Sequence, residues 1–385
     1  MKLIVRGHLL DETQVSDIVV EAGRVVSVGQ AGRGRADIGG RNSIIAPTLF
    51  DIQVNGVIGM DLQSPALRIE DVRGISDYLA AWGVSRFVPT IMTGAPGTMA
   101  RSCRVIARAI EQDREVALAV PGIHLEGPCI SPEDGPRGAH ARKYVRKPGL
   151  RALNKLYDAA GGRIVYTTVA PELPGAVEYI RALTARGVVV SLGHHNAAGE
   201  QIARAVDAGA RICTHLGNGL ASMIHRHSNP LWPQLADDRL AASLLPDLQH
   251  LPAPMLKTFI RAKGPRNIVL ASDCVHIAGR PPGRYMLGEM PVELLPSGRI
   301  CLSGTDLLGG SSLMLLQGVV NAAQTGAMTL AEAFASASDV PARVLGLKNR
   351  GSGMPEPGKK ADFLVFRVDE GRAVPQAVFV RGKLA

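Results

Sequence analysis

Four polar residues in the middle of this 385-residue chain each follow a short apolar run, and together they could hold and use a metal ion. They are Glu126, His194, His215 and Asp273. A catalytic zinc site requires three protein ligands, an open position for water, and a carboxylate nearby that can handle protons. The pattern therefore predicts Glu126, His194 and His215 as metal ligands, with Asp273 beside them as a catalytic carboxylate.

The stretch Asp51–Gly56 bears on the number of metal ions. Many barrel hydrolases place a His-x-His pair at the equivalent point to hold a second metal, whereas this chain has Gln53 and Asn55. Neutral amides are poor transition-metal ligands compared with imidazole or thiolate. The sequence favours one ion over two and zinc over iron, with other divalent metals left open. Gln53 and Asn55 are expected to form hydrogen bonds that orient the groups around the metal.

Eight candidate buried strands alternate with segments of helical periodicity, which predicts an α/β fold. The strands are Ile44–Val54, Val84–Ile91, Leu118–Leu125, Ile164–Val169, Val188–Gly193, Arg211–His215, Ala241–Leu245 and Asn267–Ser272. The clearest helix is Pro254–Gly264, with proline near its start and glycine at its end, and a capping box at Thr329–Glu332 opens another. Eight such units predict a (β/α)8 TIM-like barrel, whose active site lies at the carboxyl ends of the strands.

The two ends of the chain differ from the middle in predicted secondary structure, because both consist of short β-rich segments separated by turns. Neither end has enough strands to be stable alone. We expect residues 1–46 and 347–385 to pair into one small β-sandwich domain, and residues 47–346 to form the barrel.

Composition narrows the functional class and the location. The net charge of +9 comes from scattered lysine and arginine, aromatic residues make up only 4% of the chain, and no nucleic-acid-binding motif is present. No apolar run is long enough for a membrane span or a signal peptide. The five cysteines form no CxxC pair, which indicates free thiols in a reducing compartment. The expected location is the cytoplasm, with no nucleic-acid or membrane partner.

Six motifs occur in an order that is specific to one branch of enzymes. They are Asp51–Gly56 (DIQVNG), His124–Pro128 (HLEGP), Gly193–Ala197 (GHHNA), Thr214–Asn218 (THLGN), Ser272–Asp273 and Gly358–Phe363 (GKKADF). This set resembles the amidohydrolase superfamily and, within it, the N-acetylglucosamine-6-phosphate deacetylase family. The likeness extends over nearly the whole chain.

The resemblance implies hydrolysis of the acetamide of N-acetylglucosamine 6-phosphate to glucosamine 6-phosphate and acetate. Zinc would lower the pKa of a bound water, and Asp273 would take the water's proton and deliver it to the departing amine. His140 and His250 match family histidines that contact the sugar, and His250 would also help to polarise the carbonyl. Asn218 and Gly219 would meet the phosphate through backbone N–H groups. Arg226 would bind the phosphate of a substrate held in a neighbouring subunit, which implies a homodimer.

Departures from the family pattern leave the substrate open. The residues around Arg226 differ from the usual run, and Val275 and His276 replace smaller residues after Asp273. Another N-acyl substrate, such as N-acetylgalactosamine 6-phosphate or an unphosphorylated compound, is therefore an alternative. A catalytically silent barrel that acts as a binding module is the alternative from a different class. Four histidines have no assigned role: His195, His225, His227 and His276.

Overall fold

A computed structural model describes residues 2–347 and 353–385 of the chain. The chain begins with four strands, and in the second of them buried residues alternate with half-buried ones, as expected for a sheet with one covered face. These strands are β1 (Lys2–Leu9), β2 (Val15–Glu21), β3 (Arg24–Gln30) and β4 (Ile38–Pro47).

A parallel eight-stranded sheet follows and forms the barrel. Its strands, in spatial order, are β5 (Leu49–Val54), β8 (Val84–Met92), β9 (Ile123–Glu126), β10 (Ile164–Val169), β11 (Val189–Leu192), β12 (Ala210–Cys213), β13 (Ala241–Leu244) and β14 (Ile268–Leu270). Along the chain, a separate two-stranded hairpin, β6 (Gly56–Val57) and β7 (Met60–Asp61), connects β5 to the segment before β8. A parallel bridge between Val54 and Cys274 joins the two edges of the sheet. The (β/α)8 prediction is confirmed.

Helices cover the outside of this sheet. They are α1 (Ile69–Ala81), α2 (Pro96–Gln112), α3 (Arg114–Ala119), α4 (Leu150–Ala159), α5 (Ala176–Thr184), α6 (Gly199–Ala208), α7 (Leu231–Ala236), α8 (Ala253–Lys263), α9 (Leu315–Gln324), α10 (Leu330–Ser336) and α11 (Asp339–Val344). The predicted helix at Pro254 corresponds to α8, and the predicted capping box opens α10, where Glu332 N donates to Thr329 Oγ1 over 3.1 Å. Within the described ranges, no helix is both long and apolar enough to cross a membrane.

A three-stranded antiparallel sheet lies between β14 and α9. It consists of β15 (Gly283–Leu287), β16 (Met290–Leu294) and β17 (Ile300–Leu302), and we call it the β15–β17 sheet. Val292 and Ile300 are buried in a cluster with Val275, which comes from the loop after β14. This packing fixes the sheet against the carboxyl end of the barrel. Its strands were not among those predicted from the sequence.

The chain ends meet as expected. Strands β18 (Phe363–Asp369), β19 (Arg372–Val380) and β20 (Lys383–Leu384) join β1–β4 in one seven-stranded sheet through antiparallel pairing of β18 with β4. Residues from both ends share a core of their own, in which Ile18, Ile45 and Phe363 are fully buried. The domain boundaries 1–46 and 347–385 stay a prediction, and residues 348–352 within them lie outside the described ranges.

Four predicted strands extend one or two residues beyond the observed ends, and two others differ more from the structure. The segment Ile44–Val54 is divided near Thr48, because its first part pairs with β18 in the end sheet and its second part belongs to the barrel. The segment Leu118–Leu125 begins as helix α3, because the carboxylate of Asp113 accepts hydrogen bonds from the N–H groups of Glu115 and Val116 and caps a helix there. The strand itself starts only at Ile123.

Candidate active site

The three predicted metal ligands converge at the carboxyl ends of three barrel strands. Glu126 ends β9, whereas His194 and His215 follow β11 and β12. His215 Nε2 lies 3.2 Å from Glu126 Oε1 and 3.0 Å from His194 Nε2, and His194 Nε2 lies 3.4 Å from the same carboxylate oxygen. All three residues are buried. Two imidazole nitrogens and a carboxylate oxygen therefore point at one place, as metal coordination requires.

The hydrogen bond at the far side of the His194 ring favours a metal-binding tautomer. Its Nδ1 lies 2.9 Å from the carbonyl oxygen of Pro136, which can only accept. The proton is therefore assigned to Nδ1, and Nε2 carries the lone pair that faces Glu126 and His215. A backbone carbonyl behind a ligating histidine is a usual way to fix ring orientation and tautomer.

His140 lies in the same cluster, and its ligand atom is within 4.8 Å of those of Glu126 and His194. Its Nε2 is 3.2 Å from His194 Nε2 and 4.0 Å from Glu126 Oε2. However, its Nδ1 accepts a hydrogen bond from the N–H of Thr93 over 3.4 Å, which assigns the proton to Nε2. A neutral His140 therefore presents a donor to the cavity. That suits contact with a substrate oxygen better than coordination of a metal.

The ionisation of Glu126 depends on its histidine neighbours. Burial alone would raise the pKa of its carboxyl group, but hydrogen bonds with His194 and His215 and the electrostatic attraction of the His194 and His140 rings outweigh burial. The pKa of Glu126 consequently lies well below its ordinary value. An ionised carboxylate at this point supplies the negative charge that a divalent cation needs.

The side-chain amides of Gln53 and Asn55 hold Asp273 through hydrogen bonds. Asn55 Nδ2 donates to Asp273 Oδ1 over 2.7 Å, and Gln53 Nε2 donates to Asp273 Oδ1 over 3.0 Å and to Glu126 Oε1 over 2.9 Å. Gln53 thus bridges the ligand carboxylate and the candidate base. Within residues 2–347 and 353–385, Asp273 Oδ2 has no hydrogen-bond partner, so this oxygen is available for proton transfer.

The environment of Asp273 raises its affinity for a proton. Burial and the charge of Glu126 raise the pKa of Asp273 to about 7, although His215 and His250 act in the opposite direction. A carboxylate with a pKa near the working pH can accept a proton and release it again. This is the behaviour expected of a residue that acts as general base and then as general acid.

Three of the predicted site residues share an unusual backbone conformation. His194, His215 and Asp273 have φ angles of 53°, 30° and 51°, in the left-handed region that residues with a Cβ atom rarely adopt. Such conformations cost about 1–3 kcal/mol each and persist where the surrounding structure enforces them, often at functional sites. Each one lies just after a barrel strand, where it turns its side chain towards the common centre.

His250, after β13, forms a pair with Asp247. Its Nδ1 lies 2.7 Å from Asp247 Oδ2, and both side chains are more than nine-tenths buried. Burial would raise the pKa of Asp247, but the hydrogen bond with His250 and the charge of that ring hold it below its ordinary value. An ionised Asp247 fixes the proton on Nδ1 when the ring is neutral, which leaves Nε2 for the cavity.

A cavity of about 410 Å³ lies over this cluster. Its volume is in the range of small-molecule sites, which is about 300–1,000 Å³. The predicted site residues on its wall are Asn55, Glu126, His140, His194, His215, Asn218, Gly219, His250 and Asp273. Val275 also lines the cavity, as expected if it narrows the pocket.

Arg226 is not on the wall of this chain's own cavity. It lies in an exposed loop after β12, near Met223, which is 89% exposed. Its carbonyl oxygen accepts a hydrogen bond from Trp232 Nε1 over 2.9 Å, so the loop has internal contacts of its own. Arg226 was predicted to serve the cavity of a neighbouring subunit, so its place outside this chain's own wall leaves that assignment a prediction.

The structure places the four unassigned histidines outside the cavity wall. His195 is buried, and its Nδ1 accepts a hydrogen bond from the N–H of Ala197 over 3.3 Å, so it supports the loop after β11. His225 and His227 are exposed in the Arg226 loop, and His276, which follows Val275 in the chain, is half-buried.

His124, the first residue of the HLEGP motif, lies in the barrel interior beneath Glu126 and supports the site. His124 lies two residues before Glu126 in β9 and is fully buried. Its ring nitrogens lie 3.1 Å from Thr90 Oγ1 and 2.9 Å from Thr168 Oγ1, and the ring stacks on Tyr166 at a centroid distance of 3.9 Å. Burial lowers the pKa of His124 to about 3, so the ring is neutral. Alternation along the strand would have placed it beneath Glu126, on the same face.

Comparison with known proteins identifies the group of enzymes to which this arrangement is similar. The model of the amidohydrolase family matches residues 44–385. A Danio rerio N-acetylglucosamine-6-phosphate deacetylase is 32% identical over 381 residues, which cover 94% of this chain and 91% of the relative. An Escherichia coli O157:H7 N-acetylgalactosamine-6-phosphate deacetylase is 32% identical over 343 residues, covering 89% and 88% of the two chains.

A solved structure extends the similarity to the whole fold. It is an aspartate-to-alanine variant of N-acetyl-D-glucosamine-6-phosphate deacetylase from Mycobacterium smegmatis, in complex with N-acetyl-D-glucosamine 6-phosphate. The two chains superpose with a TM-score of 0.85 at 26% identity, covering 100% of this chain and 99% of the other.

Proposed function

Because the chain belongs to the amidohydrolase family, we propose that it hydrolyses the acetamide of N-acetylglucosamine 6-phosphate to glucosamine 6-phosphate and acetate. One observation carries the proposal: Gln53 Nε2 contacts both Glu126 and Asp273, so a metal-binding carboxylate and a proton-accepting carboxylate share one hydrogen-bonded centre. That arrangement serves attack of water on an amide carbonyl. The names of the Danio rerio and Mycobacterium smegmatis relatives support the same reaction.

We propose that one zinc ion is held by Glu126, His194 and His215. The donor set fits, because the tautomer of His194 leaves Nε2 free to coordinate and Glu126 is ionised. When bound, the ion would activate water and polarise the acetamide carbonyl. Gln53 and Asn55 occupy the position of further ligands with neutral amides, which favours one ion over two.

Side chains of the protein carry out proton transfer, polarisation of the carbonyl and binding of the sugar. Asp273 Oδ2 accepts the proton of the attacking water and later donates a proton to the departing amine, while Oδ1 stays bound to Gln53 and Asn55. His250, oriented by Asp247, contacts the substrate and helps to polarise the carbonyl. His140 donates a hydrogen bond from Nε2 to a sugar oxygen.

The phosphate group would lie near Asn218 and Gly219, and we propose that Arg226 of a second copy of the chain completes this subsite in a homodimer. Exposure of Arg226 and of Met223 beside it is consistent with a subunit contact. An arginine can bind phosphate through two parallel hydrogen bonds.

Replacement of Arg226 by alanine should lower kcat/KM for the phosphorylated sugar by roughly 10- to 100-fold, the cost of a lost charge-assisted contact. N-Acetylglucosamine, which lacks the phosphate, should be affected much less. Steady-state assays of both sugars measure the change, with Arg151→Ala as an exposed arginine control on α4. Equal losses on the two sugars would contradict a role in phosphate binding.

Gly219 has a second role, because it packs directly against a proposed metal ligand. A Cβ atom there would lie 2.9 Å from His194 Nδ1 and 3.2 Å from His194 Cα, at a φ of 60°. Gly219→Ala should therefore displace His194 and weaken metal binding by roughly 10- to 100-fold, as loss of ligand support does. Gly346→Ala is the matched control, since Gly346 has a φ of 65° and a Cβ atom added there would have no other atom within 4 Å. If metal titration finds the same affinity in both variants, the packing argument is wrong.

N-Acetylgalactosamine 6-phosphate is the second candidate substrate, because the Escherichia coli enzyme for that sugar is as similar to this chain as the Danio rerio enzyme. A panel of N-acetylglucosamine 6-phosphate, N-acetylgalactosamine 6-phosphate and N-acetylglucosamine, assayed with zinc-loaded protein, separates the candidates. We expect the highest kcat/KM on the first. A higher value on either of the others would reassign the substrate while keeping the reaction.

We also propose a cytoplasmic location. The five cysteines are all buried and unpaired, which is typical of proteins from reducing compartments.

A further inference from the structure

The cavity over the catalytic cluster has one positively charged side chain of the lysine or arginine type on its wall, considering the described residues. That residue is Arg299, which lies just before β17 in the β15–β17 sheet. Three carboxylates share the wall with it, namely Glu126, Asp273 and Asp306. A cavity built for a neutral substrate has no need of a guanidinium, so its presence requires an explanation.

The charge of Arg299 is not neutralised within the described part of the chain. Its Nε donates to Cys301 Sγ over 3.2 Å and its Nη2 donates to the backbone carbonyl of Asp306 over 3.0 Å. Both acceptors are uncharged. No ion pair of Arg299 with a carboxylate and no partner for its Nη1 is found among residues 2–347 and 353–385. The side chain is half-buried, so its remaining charge is only partly screened by water.

The position of Arg299 is fixed relative to the catalytic carboxylate. Cys301, two residues on, forms a β-bridge with Leu308, which lines the cavity. The same segment continues to Ser311, whose N–H donates to the carbonyl oxygen of Asp273 over 3.0 Å. Buried packing of Ile300 against Val275 holds the sheet from the other side. The guanidinium is therefore presented by a rigid element, as a binding residue should be.

We propose that Arg299 binds the phosphate group of the substrate within the same subunit, so that the phosphate subsite has a cationic contact in cis as well as the contact proposed for Arg226 of the second copy. The inference rests on the proposed function, since it assumes a phosphorylated amino sugar. Arg299, Asn218 and Gly219 all line the same cavity of about 410 Å³, a volume in the range of small-molecule sites. Arg299 would then select anionic substrates over their unphosphorylated counterparts.

Arg299→Gln tests this role, because glutamine keeps hydrogen-bonding capacity and removes the charge. The ratio of kcat/KM for N-acetylglucosamine 6-phosphate to that for N-acetylglucosamine should fall by roughly 10- to 100-fold. Arg299→Lys should recover part of the ratio, because it restores the charge without the planar fork. Asp306→Asn should raise the ratio, because it removes a negative charge from the same wall.

The ratio of kcat/KM for the two sugars distinguishes a role of Arg299 in phosphate binding from a merely structural role. If Arg299→Gln lowers kcat/KM equally for both sugars, or leaves the ratio unchanged, the inference is overturned while the deacetylase proposal stands. If wild-type protein hydrolyses neither sugar, the proposed function fails, and calorimetric binding of glucosamine 6-phosphate and glucosamine then decides the role of Arg299. Preferential binding of the phosphorylated sugar that Arg299→Gln loses supports the inference, and equal binding by both proteins overturns it.

Discussion

Replacing Asp273 by asparagine should lower kcat by ~10²–10⁴-fold, which is the usual contribution of a general acid–base residue. The amide oxygen of asparagine can still accept the hydrogen bonds from Gln53 Nε2 and Asn55 Nδ2, so the site geometry is retained. What disappears is the carboxylate oxygen that takes up and releases the proton. The loss should therefore appear in kcat, with metal content and thermal unfolding close to those of wild type.

The matched control for this experiment is Asp61→Asn. Asp61 is half-buried and lies outside the cavity that covers the metal cluster, where its carboxylate accepts a hydrogen bond from the N–H of Gln63. Its substitution should leave kcat within a few-fold of wild type. Full activity of Asp273→Asn would show that another group moves the proton and would remove the main chemical assignment of the site.

Replacing Glu126 by glutamine should abolish stoichiometric metal binding and, with it, hydrolysis. Glutamine keeps the shape of the side chain but removes the negative charge that faces His194 and His215 at 3.4 Å and 3.2 Å. Loss of an outer partner of a metal ligand already costs about 10- to 100-fold in metal affinity, and loss of the ligand's charge should cost more. Elemental analysis after gel filtration and a zinc-competition titration measure the change.

Glu172→Gln serves as the control for Glu126→Gln. Glu172 is a half-buried glutamate that lies off the cavity wall, where Oε1 accepts a hydrogen bond from the N–H of Asn196. This variant should retain metal and activity. Should Glu126→Gln bind zinc as tightly as Glu172→Gln, the ligand set proposed here would be incorrect.

The main features of the barrel and its candidate site were readable from the sequence because each feature is local. Each apolar run predicts a buried strand, and the polar residue that follows it marks the carboxyl end of that strand. These residues are Glu126, His194, His215 and Asp273. Barrel topology then brings such ends together without further information. The same reasoning is why Gln53 and Asn55 could be assigned to the centre before their partners were known.

The features of the fold that could not be predicted from the sequence depend on contacts between distant segments. The β15–β17 sheet is short and acquires its stability from packing of Val292 and Ile300 on Val275, so its strands have no strong signal of their own. Arg299 therefore had no predicted position near the cavity. The start of β9 was misplaced because capping by Asp113 overrides the apolar pattern of Leu118–Leu125.

Choice between the candidate ligands also required the structure. Sequence spacing cannot say which nitrogen of a histidine carries the proton. The acceptor at Pro136 O supports the proposal that His194 binds the metal, and the donor at Thr93 N supports the proposal that His140 contacts the substrate. This distinction rests on hydrogen bonds across 58 and 47 residues of sequence, respectively.

The most direct measurement is the stoichiometry of products from N-acetylglucosamine 6-phosphate with zinc-loaded wild-type protein. Acetate and glucosamine 6-phosphate, quantified in the same reaction, should appear in equal amounts, and neither should appear with Asp273→Asn above a rate ~10²–10⁴-fold lower. Metal-loaded protein that releases no acetate from this sugar would contradict the account.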